Sequence, residues 1–153
     1  MSDFSQFDSS EDSYGFVFWQ TYTLWHRRIK KELRAFKLTH TQFVILSVIR
    51  FLGISSKNIS QSDVSSLSKI DVMTISSSIK TLIKNGYIIS KGDPNDSRAN
   101  NLSLTIKGKD VQHKTMLIIE NIDNDFFDIE GVDLNAFLSN LLIIHDSNKD
   151  DET

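Results

Sequence analysis

The stretch NISQSDVSSLSKIDVMTISSSIKTLIKNGYI, residues 58–88, decides the fold. Ser60 and Asp63 have the spacing of a capping box, which predicts the start of a short helix with Val64 and Leu67 facing inward. A turn at residues 69–71 then leads to a second helix. Its apolar side chains are three or four residues apart: Val72, Ile75, Ile79 and Leu82. Two short helices joined by a tight turn predict a helix-turn-helix.

The outer face of the second helix carries small hydroxyl side chains and lysines but no acid. It consists of Met73, Thr74, Ser76, Ser77, Lys80, Thr81 and Lys84, and Gly86 ends the helix. Such a face can approach DNA phosphates and base edges without repulsion. The alternative interpretation is a serine-rich helix that is merely exposed to solvent.

A β-hairpin is predicted directly behind this helix. YIISK (87–91) and NLSLTIK (101–107) alternate apolar and polar residues, and GDPNDSRAN (92–100) between them is rich in turn formers. A helix-turn-helix followed by a hairpin is a winged helix. Arg98 at the wing tip could enter the DNA minor groove, and Asp96 could orient its side chain. The alternative is that Arg98 is a surface charge without a role in binding.

Two helices are predicted before this region. Residues 14–38 carry an apolar stripe with helical spacing, and the opposite face carries six cations. The stripe is Phe18, Tyr22, Trp25, Ile29, Leu33 and Phe36, and the cations are Arg27, Arg28, Lys30, Lys31, Arg34 and Lys37. The stripe indicates core or a subunit interface. The next helix has Thr39 as its N-cap, Gln42 at the capping-box position and Gly53 at its end.

Two more helices are predicted after the wing. Thr105 caps the first, whose inward positions are Val111, Met116, Ile119, Ile122 and Phe126. The last helix, LNAFLSNLLIIHD (134–146), is apolar on most sides, with Leu134, Phe137, Leu138, Leu141 and Leu142 on one side and Ile143 and Ile144 elsewhere. Helices more apolar than a monomer needs usually bury that surface against a partner.

The net charge of −3 hides a separation of charge along the chain. Residues 14–114 hold sixteen Lys and Arg against six Asp and Glu, whereas residues 1–13 and 115–145 contain acids and no base. A basic body favours a polyanionic partner. The alternative is a winged-helix module that binds a protein and not DNA, which the acidic pI of 5.8 permits. Residues 1–13 and 147–153 are expected to be disordered acidic ends.

Several functions are not expected from this composition. The chain has no cysteine, and its N-terminus lacks the pattern of a signal peptide, so we expect a cytoplasmic protein without disulfides. No nucleophile elbow, P-loop or dinucleotide fingerprint occurs, so neither an enzyme nor a cofactor is expected. The four histidines form no close sequence pair, which argues against a metal site, although His26 and His113 could meet across helices.

The wing DPNDSRANNLSLTIKG (93–108) resembles the Asp-x-Arg wing signature of the MarR (multiple antibiotic resistance regulator) family of winged-helix transcription factors. DVMTISSSIKTLIKNGYI (71–88) resembles the recognition helix of that family, and LTHTQFVILSVI (38–49) its second helix. The similarity extends over roughly residues 14–146. One departure is Ser77, which stands where many members have arginine, so the base preference does not carry over.

The resemblance implies a mainly α-helical fold with a small β-wing and a homodimer that acts as a DNA-binding transcriptional repressor. Residues 14–37 and 109–146 would form the dimerisation helices, and residues 38–108 the winged helix-turn-helix that reads a palindromic operator. The implied DNA contacts are Thr74, Ser76, Ser77, Lys80 and Arg98. The resemblance also implies release by a small aromatic ligand. A pocket for it would be lined by Trp19, Tyr22, Trp25, His26 and Phe43, for which the alternative is ordinary core packing.

Overall fold

The computed structural model describes residues 3–92 and 101–150. Within these ranges the chain is mainly α-helical with one two-stranded antiparallel sheet. The elements are α1 (Tyr14–Leu33), α2 (His40–Leu52), α3 (Gln61–Ser68), α4 (Val72–Lys84), β1 (Ile88–Ser90), β2 (Leu102–Leu104), α5 (Ile106–Phe127) and α6 (Leu134–Asn148). The chain divides into two compact units, Met1–Ile118 and Ile119–Thr153, so the boundary falls inside α5.

The core of the first unit lies between the helices of the predicted helix-turn-helix and the helices before it. Its fully buried side chains include Ile29, Leu33, Ile45, Leu46, Ile49, Val64, Ile75, Ile79, Leu82 and Leu102. They come from α1 to α4 and from β2, as the helical spacing of the apolar residues predicts. A winged helix is therefore the observed architecture of this unit.

Helix ends follow the capping residues that the sequence indicates. Complete capping boxes open α2, with Thr39 and Gln42, and α3, with Ser60 and Asp63. The Thr105 hydroxyl accepts a hydrogen bond from the Gly108 amide (2.9 Å) and so caps α5 as predicted. These caps satisfy amide groups that have no partner within the helix.

The first helix ends five residues earlier than predicted. After Leu33 the chain passes through a 3₁₀ turn, and Lys37 adopts a left-handed conformation with φ of 54°. The amide of Leu38 donates to the Leu33 carbonyl (3.3 Å), and the amide of Lys37 donates to Arg34 (3.0 Å), which is a Schellman motif. Glycine is the usual residue at this position. Because a lysine occupies it here, the sequence carries no signal for the end of this helix.

Three other predictions of local structure need correction. Leu67 and Val72 are 49% and 42% exposed, and not buried, because each lies at the edge of its helix next to the turn. Residues 10–12, predicted as part of a disordered arm, form a 3₁₀ helix capped by Ser9 and Asp12. Helix α6 includes the first two residues of the predicted disordered tail and ends at Asn148.

The second unit contains the end of α5 and all of α6. The rings of Phe127 and Phe137 stack with centroids 5.5 Å apart, which joins the two helices. No residue of α6 is buried, and Phe137, Leu138, Leu142, Ile143 and Ile144 are all exposed. A helix this apolar has more exposed hydrocarbon than a soluble monomer normally leaves in water.

Candidate nucleic-acid interface

Local hydrogen bonds fix the conformation of the turn between α3 and α4. Lys69 adopts a left-handed conformation at the end of α3, and its amide donates to the Ser65 carbonyl (2.8 Å). The Ser65 hydroxyl reaches across the turn to the carbonyl of Ile70 (2.6 Å). Because these bonds are local, they set the direction in which α4 leaves the turn.

Helix α4 separates an apolar face from a polar one. Ile75, Ile79 and Leu82 are completely buried, which turns the opposite face to solvent. Of the predicted DNA contacts, Thr74, Ser77 and Lys80 are exposed there, and Ser76 is half-buried. The structure thus brings these four residues onto one side of one helix.

Asp71 is a residue of this site to which the sequence analysis gave no role. It is the N-cap of α4, and its carboxylate accepts hydrogen bonds from the Thr74 hydroxyl (2.6 Å) and the Thr74 amide (2.8 Å). The hydroxyl and amide of Thr74 hold the pKa of Asp71 below its ordinary value. The hydroxyl proton of Thr74 is therefore already engaged. The spacing of Asp71 and Thr74, which is that of an N-cap and its N3 residue, was the available sequence signal.

The base of the wing is built as predicted. Ile88 pairs with Leu104 and Ser90 with Leu102, and the amide of Leu102 also donates to the Ile59 carbonyl (2.9 Å) in the segment before α3. The wing is thereby tied to the helix-turn-helix by backbone hydrogen bonds. Arg98 and Asp96, the predicted wing-tip residues, lie outside the described residues.

The end of α4 is joined to the start of α5. Thr105 donates from its hydroxyl to the Gly86 carbonyl (2.6 Å), and Lys107 donates to the Asn85 carbonyl (2.9 Å). Gly108 lies so close to Tyr87 that an added Cβ would be 2.0 Å from the Tyr87 carbonyl oxygen. These contacts hold the helix that carries the candidate interface against the helix that follows the wing.

The predicted ligand-pocket residues form an aromatic cluster between α1 and α2, which we define as Trp19, Tyr22, Trp25, His26, His40 and Phe43. Tyr22 stacks on His26 with centroids 5.4 Å apart, and Trp25 meets His40 edge-on at 5.2 Å. His40 was missing from the prediction. It is the first residue of α2, a position where sequence spacing gives no indication of contact with α1.

His26 meets His40, a pair that the spacing of the histidines in the sequence did not predict. Their Nδ1 atoms are 2.7 Å apart, so one imidazole donates a hydrogen bond and the other accepts it. Burial, and secondarily the proximity of His26, lower the pKa of His40 from its ordinary 6.5 to about 4. The described residues include no group of three or more side chains suited to hold a metal ion.

No single helix in the described ranges is long and apolar enough to cross a membrane. Among the helices of the described residues, one pair reaches the required length and composition together, namely Tyr14–Phe36 and His40–Leu52, and this pair is bent by 80°.

Comparison with known proteins agrees with this architecture. The profile of the MarR family matches residues 38–99. The uncharacterized HTH-type transcriptional regulator YdcH of Bacillus subtilis is 35% identical over 123 residues, which are 80% of this chain and 84% of YdcH.

Two solved structures show the same fold. The Staphylococcus aureus MepR–DNA complex matches with a TM-score of 0.77 and 18% identity, over 91% of this chain and 99% of MepR. BpsR of Bordetella bronchiseptica, whose DNA binding is regulated by 6-hydroxynicotinic acid, matches with a TM-score of 0.75 and 22% identity, over 94% of this chain and 98% of BpsR. With the winged helix and its exposed α4 in place, these matches lead to one conclusion: the chain belongs to the MarR family of DNA-binding, HTH-type transcriptional regulators.

Proposed function

We propose that this regulator binds a palindromic operator as a homodimer and represses transcription, with α4 of each subunit in the major groove. The observation that carries the proposal is the polar face of α4, where Thr74, Ser77 and Lys80 are exposed and no acid intervenes. Hydroxyl groups can donate to or accept from base edges, and a lysine can contact guanine or phosphate. Regulators of this family are generally not enzymes, and we expect no enzymatic activity here.

In this proposal the side chains of α4 have different roles. Ser77 and Lys80 lie one turn or less apart on the exposed face and would reach base edges or phosphates. Thr74 would contact DNA through its methyl group or its oxygen lone pairs, because its proton is donated to Asp71. Ser76, which is half-buried, would approach the sugar-phosphate backbone of the DNA at the edge of the interface. Asp71 is a positioning residue.

Arg98 would enter the minor groove beside the helix, oriented by Asp96. The support for this role is the sequence signature and the position of the hairpin base, where Lys91 and Asn101 are joined by a backbone hydrogen bond (3.1 Å). Narrow minor grooves have a strongly negative potential and favour arginine. Two wings and two recognition helices would then follow one face of the duplex.

Residues 14–37 and 109–146 would form the dimer, and residues 38–108 the DNA-binding part. The support for this division is the apolar exposure at both ends of the chain, where Phe18 is 65% and Leu138 57% exposed. Dimerisation would place two copies of α4 in successive major grooves.

The aromatic cluster would bind a small aromatic effector that releases the protein from DNA. Trp19 and Tyr22 keep exposed ring surface while His26, His40 and Phe43 are more buried, so an aromatic ligand could extend the existing stack. The regulation of BpsR by 6-hydroxynicotinic acid is a precedent within the same fold.

A charge substitution on α4 tests DNA recognition. A duplex is first recovered by binding the protein to random genomic fragments. Ser77→Glu should then weaken binding to this duplex by roughly ten- to a hundredfold, the cost of about 1–3 kcal/mol for a lost base contact. Ser55→Glu, the same change at an exposed loop position, is the control and should bind like the parent. Fluorescence anisotropy measures both, with circular dichroism to confirm unchanged helix content.

Two results would contradict the proposal. If Ser77→Glu binds the duplex as tightly as the parent, α4 is not the element that reads DNA. If the parent protein binds no duplex in a salt-dependent way, the protein-interaction alternative becomes the better account, because contacts with phosphates always release counterions.

A further inference from the structure

A cleft of about 650 Å³ lies on the wing side of the first unit, apart from both α4 and the aromatic cluster. It is formed by the end of α2, the loop between α2 and α3, the hairpin base and the start of α5. We call it the wing-side cleft. Its volume is within the range of about 300–1,000 Å³ that is common for small-molecule sites.

Four cations line the wing-side cleft: Arg50, Lys57, Lys91 and Lys109. Among its described lining residues there is no Asp or Glu, and within residues 3–92 and 101–150 none of the four forms a salt bridge. Surface lysines normally alternate with acids, and this chain has more acids than bases. Like charges gathered around one concavity repel each other, and a bound anion would relieve that repulsion.

Arg50 is already held in position. Its Nη1 donates to the Lys109 carbonyl (3.1 Å) and to the Gln112 side-chain oxygen (2.6 Å). Gln112 is buried and donates in turn to the Ser47 hydroxyl (3.2 Å). Because these hydrogen bonds already hold the Arg50 guanidinium, binding of an anion would cost little additional side-chain entropy. Its remaining N–H groups have no protein acceptor in the described part of the chain, and they present the fork that suits a carboxylate or phosphate.

The cleft also offers an apolar surface beside the charges. Ile54, in the loop after α2, is 82% exposed and contributes to the lining. Phosphates of duplex DNA are usually contacted by protruding side chains, whereas a concavity with an apolar wall suits a compact ligand. From the four cations, the ordered Arg50 and this wall, we infer that the wing-side cleft binds a small organic anion with a carboxylate or phosphate head and a short apolar body.

This inference does not depend on DNA binding and can be tested without DNA. Phenyl phosphate is titrated into the full-length ¹⁵N-labelled protein, and the amide resonances are followed by NMR. Saturable shifts are expected at the amides of Lys57, Leu102 and Lys109. In the Lys57→Gln/Lys91→Gln variant the dissociation constant should rise at least about tenfold, because charge-assisted hydrogen bonds to the head group are lost.

The control variant is Lys30→Gln/Lys31→Gln, which removes the same charge from the exposed face of α1. It should change the dissociation constant by less than about twofold, as expected for distant, screened charges. The inference is overturned if the shifts do not saturate, if they centre on the aromatic cluster, or if both double variants weaken binding equally. A different result would also overturn the inference: phenyl phosphate does not bind, and the Lys57→Gln/Lys91→Gln variant only has a shallower salt dependence of duplex binding than the parent. The cations of the cleft would then contact the DNA backbone.

Discussion

Gly108 shows how one residue allows the start of α5 to lie against the segment between α4 and β1. Its Cα faces the Tyr87 backbone at a distance that leaves space for a hydrogen atom but not for a methyl group. The close approach allows Thr105 to bond to Gly86 and to the Tyr87 carbonyl, which accepts from the Thr105 amide (3.0 Å). A side chain at position 108 would have to separate these segments.

We therefore expect Gly108→Ala to lower the free energy of unfolding by about 1–3 kcal/mol, the usual cost of overpacking. Gly15→Ala is the matched control. Gly15 is in the first turn of α1 with open space around it, so alanine there should stabilise the protein by up to about 1 kcal/mol. Urea unfolding of the three proteins measures both effects. Equal midpoints for Gly108→Ala and the parent would contradict the close packing.

At the scale of elements, the contact between α1 and α2 combines apolar packing with one polar pair. The His26–His40 hydrogen bond lies among aromatic rings, with Tyr22, Trp25 and Phe43 around it. A hydrogen bond between two Nδ1 atoms requires that one of these atoms carries a proton and that the other does not. Protonation of His40 would place a charge in this aromatic environment, next to the ring of His26.

This packing predicts a pH dependence of stability. The pKa of His40 is lowered from 6.5 to about 4 on folding, so between these values the unfolded chain binds more protons than the folded one. Stability should therefore be full above pH 6.5 and fall as the pH decreases towards 4. The loss should be about 1–2 kcal/mol, after allowance for solvent screening of a partly exposed ring.

The measurement is urea unfolding at several pH values between 4 and 7, for the parent and for His40→Phe. Other groups also titrate in this range, so the difference between the two proteins isolates the histidine. His40→Phe should lose less stability on acidification than the parent. If the two curves are parallel, the lowered pKa of His40 has no thermodynamic consequence.

At the scale of the whole molecule, the exposed apolar side chains are concentrated near the two ends of the chain. In α6 they include Leu138 and Leu142, with 57% and 51% of their surface exposed, and in α1 they include Phe18. Each unit by itself leaves these residues uncovered. A second copy of the chain would cover them, which is the basis of the proposed homodimer.

We expect the parent protein to sediment as a dimer at micromolar concentration, and Leu138→Asp/Leu142→Asp to aggregate or fail to fold, because unpaired charges would be buried in the interface. Phe51→Asp replaces an exposed apolar residue of α2 and should leave the dimer intact. Sedimentation velocity distinguishes these states. A well-folded monomer of the parent at this concentration would contradict the proposed homodimer.

The amino-acid sequence by itself determined the order of the helices, their caps and the faces that they bury. These features depend on neighbours within four residues, such as Ser60 with Asp63 or Ile75 with Ile79, and short-range spacing records them directly. The polar face of α4 was predictable for the same reason, because it lies opposite the buried side chains of Ile75, Ile79 and Leu82.

Contacts between distant segments were decided only by the tertiary structure. Positions 26 and 40 meet because the chain bends by 80° between the first two helices, where Lys37 adopts a left-handed conformation that no periodicity predicts. The wing-side cleft likewise collects Arg50, Lys57, Lys91 and Lys109 from four separate segments. Their charges were visible in the sequence, but their convergence depends on how α2, the hairpin and α5 pack together, and packing is set by the shape of the whole core.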